Sequence, residues 1–447
     1  MSNATVHNIT DEGSDITLRR RSDSVEDQST DKGINSDEEI NIPKIGSTQR
    51  KERKKVLIIY VGGVLGMEYS TDGSFFIRQG MLTNRLMNDA DFMTDDMPQI
   101  TVNEWVPAIL SSNMSTSEWV RLAEEITDAY YDYDGFVVVH GTDTMAYTAT
   151  ALSFMLESLG KPIIFTGSCI PFCDVHSDAR RNLIVSLDYA CVDYLCEVCI
   201  FFNNTLLRAN RATKHNTGSL NAFESFNYPP LGVLGVHLKL KRSLLLPTPK
   251  TRFRLHTKMD KNVLQLRLTP GFSDRLIQNA LQPPCRGVVL QIYGAGQYPD
   301  KQNLWSILNS AASHGVIVVL ISQCHVGYVD FANNWEFNSL KHTNLVQGGD
   351  MTSEAACTKL AYLLALGLPF FEVKKLMRTD LRGELNTDAA KDVIDSLSLH
   401  RSSFMKDDDM PSMVNKQVLY EQQVDVPEEF VLPDSVASLS LKTKLID

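Results

Sequence analysis

The chain has 447 residues, 43% hydrophobic and 22% charged, which is more than one hydrophobic core usually serves and is ordinary for globular proteins. Its net charge of -11 argues against a general affinity for nucleic acid or an anionic membrane, because either partner repels an acidic surface. Apolar runs stop short of the roughly 20 residues that a bilayer crossing needs, and the polar N-terminus lacks the apolar core of a secretory signal, so the expected compartment is the cytoplasm.

In chain order, residues 1–54 are rich in Ser, Asp, Glu, Lys and Arg and offer little apolar surface to offset the entropy of ordering, so they read as a disordered tail whose removal leaves stability nearly unchanged. Within it, Arg19-Arg20-Arg21-Ser22-Asp23-Ser24 sets hydroxyls behind a basic cluster, a pattern suited to a basophilic kinase or a phospho-motif reader at Ser22, but so short a motif recurs by chance and a plain solvated tail is the favoured reading. Residues 55–245 alternate short apolar runs with helical patterns. Val56 to Tyr60, Gly135 to Val139, Pro162 to Phe165 and Val198 to Phe202 predict buried strands, with WVRLAEEITDAYYDYD and TMAYTATALSFMLESLG as helical crossovers. LGVLGVHLKLKRSLLL predicts a hairpin or extended arm, and residues 246–260, with Pro247-Thr248-Pro249, read as a linker. Residues 261–400 then predict a smaller second α/β domain, with strands at Val263 to Leu266, Gly287 to Ile292 and Val316 to Ser322 and a closing helix from about Thr352 to Leu366. Residues 401–447, broken by prolines and charge runs, read as a second tail. The fold class expected is thus two α/β domains with mostly parallel sheets, the larger N-terminal one carrying the chemistry.

Open α/β sheets bind ligands at the C-terminal ends of their strands, and two such ends are unusual here. Tyr60-Val61-Gly62-Gly63-Val64-Leu65-Gly66-Met67 runs a strand into glycines that permit a tight turn, but lacks the spacing of a phosphate loop or a dinucleotide fingerprint. Val139-His140-Gly141-Thr142-Asp143-Thr144 places hydroxyls and a carboxylate between a strand and a helix. Thr142 or Asp143 as a simple helix cap is the plain alternative, yet the cluster is denser than a cap requires. The eight cysteines, among them Cys199 in CEVCIFF and Cys324 after VIVVLIS, read as reduced core residues; Cys191, Cys196 and Cys199 lack the fourth ligand of a zinc site, so no metal is expected.

These stretches resemble the signatures of the L-asparaginase family. HGTDTM after GFVVV is similar to its second signature, and YVGGVLGM stands where its first, TGGT, belongs. Ser111-Ser112-Asn113-Met114, TGSCIPFCDVHSDARRNL, Arg211-Ala212-Thr213-Lys214, SQC at Ser322 to Cys324, GGDMT at Gly348 to Thr352 and LRGEL at Leu381 to Leu385 follow in the family's order, over about residues 55–390, and resemble its cytosolic type I branch. The resemblance implies hydrolysis of L-asparagine to L-aspartate and ammonia without metal or organic cofactor. It also implies a homo-oligomer, a dimer or dimer of dimers. By position, Gly63, Ser111, Ser112, Thr142 and Asp143 would hold the substrate, while Thr142, Asp143 and Lys214 would form a hydroxyl, carboxylate and amine relay. The family's usual nucleophile position is occupied by Val64 and the opening threonine by Val61, which keep a branched shape without the hydroxyl. Tyr69 and Phe75 fall in the following loop, where the family keeps a mobile tyrosine, and Gln297 stands where type I sequences commonly carry Asn. Two functions stay open: a slow amidohydrolase that uses Thr142, and a catalytically silent paralogue that binds asparagine or aspartate as a sensor or oligomer partner. A third is a scaffold acting through the tail around Ser22.

Overall fold

The computed structural model describes residues 39–42, 53–297, 302–329 and 345–386. The chain divides into two compact units, the first holding residues up to Ser225 and Pro229–Lys261, the second Phe226–Tyr228 and the chain from Asn262 onward. The region around Ser22, the end of the expected second domain and the C-terminal stretch 401–447 lie outside the described residues.

The first unit is built on a nine-stranded sheet. Its members in chain order are β1 (Glu39–Asn41), β2 (Lys55–Tyr60), β3 (Gln99–Glu104), β4 (Gly135–Val139), β5 (Ile163–Thr166), β6 (Val198–Phe202), β7 (Thr205–Arg208), β8 (Gly232–Leu234) and β9 (Leu238–Lys241). They lie in the order β1-β9-β8-β7-β6-β5-β4-β2-β3. From β3 to β6 all pairings are parallel; β6 to β1 are antiparallel. Every residue of β4 and β6 is buried, as expected of strands covered on both faces. Four helices serve the parallel part: α1 (Met81–Asn88), α2 (Thr116–Asp128), α3 (Met145–Met155) and α4 (Ala179–Ala190). The start of α2 is fixed by a capping box, Ser115 with Glu118, and its apolar face buries Leu122, Ala123 and Ile126. α3 is almost wholly buried, which its alanines permit by letting it lie close to its neighbours.

The chain leaves β2 towards β3 on one side and returns to β4 on the other. This reversal opens a crevice beyond the C-terminal ends of β2 and β4, the topological switch point at which open α/β sheets bind ligands. Both unusual motifs leave the sheet there.

The second unit has a four-stranded parallel sheet, β10 (Val263–Arg267), β11 (Gly287–Ile292), β12 (Ile317–Ser322) and β13 (Val346–Gln347), in that order. Its helices are α5 (Asp274–Ala280), α6 (Gln302–Ser313), α7 (Ser353–Ala365) and α8 (Phe370–Met377). α7 is capped by Thr352, whose hydroxyl accepts from the Ala355 amide at 3.1 Å. Lys359 on α7 and Glu384 of the LRGEL stretch form an ion pair at 2.5 Å with both side chains fully buried. Burial works to raise the Glu384 carboxyl, but the Lys359 charge and hydrogen bond, with the amides of Leu381 and Arg382, hold it below its ordinary range.

Three sequence expectations are corrected. Residues 246–260, read as a linker, are laid along the first unit: Arg254–Leu255 pairs with Leu156–Glu157, and Phe253 stacks on Tyr130 at 4.0 Å between ring centres. An aromatic ring and a backbone able to pair outweigh the prolines of that segment. Cys324 is exposed rather than in the core, because it lies beyond the end of β12 in a turn where its amide bonds the Ser322 hydroxyl at 2.9 Å. Residues 39–41, read as part of a disordered tail, form β1 against β9 with Ile40 opposite the buried Leu240. Deleting residues 1–42 should therefore lower stability by about 1–2 kcal/mol relative to deleting residues 1–38 alone, and expose the β9 edge to self-association. Urea melts and light scattering on the two truncations check this; identical midpoints would show that β1 contributes nothing.

Candidate active site

Two glycine turns meet at the switch point. Gly63 has φ +102, and a Cβ there would stand 2.6 Å from both the Cα and the N of Gly141. Gly141 in turn has no room for a Cβ because Ser111 Oγ would be 2.7 Å from it. Only glycine allows the first turn's backbone, the second turn's backbone and the Ser111 side chain to share this point. Ser111 is buried in a single 3₁₀ turn, Ser111–Asn113, and its carbonyl accepts from the Thr144 hydroxyl at 2.6 Å, which ties that turn to the start of α3. Ser112, the next residue, is exposed.

The Lys214 ammonium donates to Thr142 Oγ1 at 2.7 Å and to Asp143 Oδ1 at 2.7 Å. Thr142 is half-buried, Asp143 exposed and Lys214 mostly covered. Thr142 and Asp143 are thus not caps of α3: the N-cap is Thr144, and the hydroxyl and carboxylate face the lysine. Lys214 reaches them from a two-residue strand, Thr213–Lys214, paired with Phe223–Glu224. The arrangement can deliver or accept a proton at a hydroxyl that sits at the N-terminus of an 11-residue helix, where a carboxylate is also favoured.

Val64 begins a 3₁₀ turn straight after Gly63 and is partly exposed, so a methyl surface stands at the turn that packs on Gly141. Val61 does not reach the crevice. It is 1% exposed and belongs to the core with Ile59 and Val138. Tyr69 and Phe75 face each other across a small hairpin, Met67–Tyr69 with Phe75–Ile77, with ring centres 4.7 Å apart. The Tyr69 hydroxyl donates to Asp174 at 2.9 Å, so in this conformation it is engaged away from Thr142 and Lys214. Gln297 closes a tight turn in the second unit, exchanging backbone hydrogen bonds with Tyr293 at 2.7 and 3.0 Å.

Sequence reasoning missed three supporting residues. Asp178 accepts from the amides of Cys169 and Ile170 and from Asn182 Nδ2, at 3.0 to 3.1 Å, and so shapes the turn after β5. Burial, followed by the Asp178 charge, pushes the Cys169 thiol up against the opposing charge of Lys214, which places that turn beside the relay. Asp174 is the second and His140 the third. Fully buried, His140 donates from Nδ1 to the Gly141 carbonyl at 2.7 Å; burial lowers its pKa from 6.5 to about 4, outweighing that hydrogen bond. The run of carboxylates and a histidine inside otherwise apolar motifs was the available signal for all three. Burial of Cys191, Cys196 and Cys199 likewise pushes their thiols up, to about 12 for Cys191. All eight cysteines are free thiols, and among the described residues no group of three or more His, Cys, Asp or Glu could hold a metal ion. Nor is any described helix long and apolar enough to cross a membrane.

Two α/β units, with a threonine, lysine and carboxylate gathered at the switch point of the first, define the architecture. Residues 55–246 match the asparaginase N-terminal family model and residues 262–377 the glutaminase/asparaginase C-terminal domain. L-asparaginase 1 of Escherichia coli K12 is 39% identical over 338 residues, spanning 75% of this chain and 99% of that protein. The 60 kDa lysophospholipase of Mus musculus is 38% identical over 360 residues, covering 75% of this chain and 63% of that one. Among solved structures, L-asparaginase I of Vibrio cholerae O1 biovar eltor superposes with a TM-score of 0.70 at 39% identity, covering 75% of this chain and all of the other. The chain belongs to the asparaginase family.

The neutral, buried His140 carries a pH signature. Its folded pKa lies below the unfolded value, so in acid the unfolded state binds the extra proton; the contribution is complete above about pH 6.5 and is lost as pH falls towards 4, roughly 3 kcal/mol in all. His140→Gln keeps a donor for Gly141 but cannot titrate, and should flatten the acid limb of stability against pH by about that amount. Urea midpoints measured from pH 7.5 to 4 decide; an acid limb as steep as the wild type's would contradict a neutral His140.

Proposed function

We propose that this chain is an amidohydrolase of asparaginase type that uses Thr142 as its nucleophile. The observation supporting this reading is the Lys214 ammonium placed 2.7 Å from both Thr142 Oγ1 and Asp143 Oδ1. In its amine form Lys214 takes the Thr142 proton, Asp143 holds the resulting ammonium, and the alkoxide adds to the side-chain amide carbon of L-asparagine. Collapse breaks the C–N bond and ammonia leaves with a proton returned by Lys214. Water then cleaves the threonyl ester to L-aspartate and restores the hydroxyl. Gly63 and the Ser111-Ser112 turn border the same crevice and are assigned to holding the amino acid, with the α3 N-terminus favouring its carboxylate.

The reaction is proposed to be slow. Val64 presents no oxygen where the family resemblance places a hydroxyl, and the Tyr69 hydroxyl is committed to Asp174. The same methyl surface favours the second reading, a silent paralogue that binds asparagine or aspartate without turning it over. By the same family resemblance, the chain is proposed to be a cytoplasmic homo-oligomer.

Ammonia release from L-asparagine by the pure protein should be measurable and should fall at least ~100-fold in Thr142→Ala, as expected for loss of an acyl-forming group. Val64→Thr should raise it at least ~10-fold, since a near-isosteric change returns an oxygen. L-Aspartate should raise the melting temperature of all three proteins by mass action. Turnover unchanged in Thr142→Ala removes Thr142 as nucleophile. No turnover by the wild type, with stabilisation by aspartate intact, selects the silent paralogue.

A further inference from the structure

Helix α3 carries the site's hydroxyl and carboxylate just ahead of its first turn, whereas Lys214 reaches them from a separate stretch of the first unit. That stretch is short. β7 ends at Arg208, a single 3₁₀ turn covers Ala209–Arg211, and Thr213–Lys214 follows as a two-residue strand paired with Phe223–Glu224. Ala209, Asn210, Arg211 and Ala212 are all buried, and Ala209 and Ala212 share a core with Ala146, Ala149 and Ala151 of α3. Small residues on both sides let the turn lie close against the helix.

Three aliphatic hydroxyls are buried along α3, on Thr148, Thr150 and Ser153, and each is used differently. Ser153 donates to the Ala149 carbonyl at 3.0 Å, one turn back, which is the usual habit of a hydroxyl inside a helix. Thr148 accepts from Trp119 Nε1 at 3.1 Å and so fastens α2. Thr150 instead donates out of its helix, to the Ala209 carbonyl at 3.2 Å. That carbonyl also accepts the Ala212 amide at 3.2 Å, the bond that closes the 3₁₀ turn. Both bonds therefore meet on one oxygen, in the turn that leads directly into Lys214.

We infer that Thr150 is a positioning residue for Lys214: its hydroxyl fixes the Ala209–Arg211 turn to the same helix that presents Thr142 and Asp143, so the amine and both its partners are referenced to one rigid element. A lysine reaches its partners on a long flexible stem, so a fork at 2.7 Å to two groups persists only if the backbone origin of that stem is held. A displacement of about 1 Å carries such bonds beyond hydrogen-bond reach and is enough to impair a positioned catalytic group. The inference rests on reading Lys214 as the amine of the site.

The test reads the amine itself. Thr150→Val in the full chain keeps the branched outline and removes the donor, and the Ala209 carbonyl retains its Ala212 partner, so no buried polar group is orphaned. The protein is treated with an amine-reactive ester, and the modification rate of each lysine is followed by peptide mass spectrometry. Lys214 should react at least about threefold faster than in the wild type, the order of one net hydrogen bond's protection. Thr150→Ser, which restores the hydroxyl, should return Lys214 to the wild-type rate. Ser153→Ala, which removes a hydroxyl bonded only within its own helix, should leave Lys214 unchanged. Lys161, which donates to the carbonyls of Tyr130 and Tyr133, and the buried Lys359 should keep their rates in every variant. Should Thr150→Val fail to fold, Thr150→Ala removes the same donor and is read in the same way. An unchanged Lys214 rate in the folded variant, a rise as large in Ser153→Ala or Thr150→Ser, or an equal rise at all three lysines overturns the inference. A selective rise reversed by Thr150→Ser, in a protein that neither binds aspartate nor releases ammonia, leaves the positioning role standing and removes the proposed function instead.

Discussion

The site depends on a contact between two backbones. Gly63 packs directly on Gly141, with a hypothetical Cβ only 2.6 Å from the other glycine's Cα, and Ser111 closes the third side. This contact follows from the sheet: β2 and β4 are parallel neighbours, so their C-terminal turns emerge side by side where the chain reverses direction. Interiors packed to crystal-like density leave no slack at such a point, and any side chain on either glycine would drive the turns apart. The positions of Val64, one residue beyond the first glycine, and Thr142, one beyond the second, are set by it.

With the two turns fixed, the chemistry reduces to which side chains they carry. The second turn has a hydroxyl and a carboxylate, and the lysine brought to them lies 72 residues away from Thr142. The first turn has Val64. Valine gives that turn a branched apolar outline and carries no hydroxyl. The nearby tyrosine, bonded to Asp174, does not supply a replacement in this conformation. The groups gathered around the Lys214 ammonium at the crevice are the Thr142 hydroxyl and the Asp143 carboxylate, each at 2.7 Å.

Much of the fold was legible because buried strands announce themselves as unbroken apolar runs. Gly135–Val139, Val198–Phe202 and Gly287–Ile292 fall at the predicted residues. α2 was legible because its apolar face repeats with helical period. What stayed hidden was tertiary in origin. β1 is three residues long with one large apolar side chain, too little pattern to separate from a tail, and it exists because β9 offers an unpaired edge. Residues 246–260 carry loop chemistry, yet Phe253 finds the Tyr130 ring and is drawn onto the first unit. At the site, the HGTDT cluster stood out locally, but its pairing with Lys214 came only through family resemblance, since nothing near Lys214 in the sequence marks it as more than a surface lysine.

The late motifs show that resemblance to a family signature does not by itself locate chemistry. GGDMT and LRGEL stand together in the resemblance with HGTDT, yet the structure turns the charges of this region inwards. Lys359 and Glu384 are fully buried against each other, the lysine also donating to the carbonyls of Met377 and Thr379 and the glutamate accepting two backbone amides. A pair so enclosed is held by desolvated attraction and offers no atom to a substrate; removing either partner would leave an uncompensated buried charge. Asp350 is spent in the same way, on Asn386. Lys214 differs from Lys359 in one physical respect, that its carboxylate partner is exposed and its hydroxyl partner half-exposed. An ammonium that shares its hydrogen bonds with groups open to solvent can exchange them for bonds to a ligand, whereas one sealed among backbone carbonyls cannot.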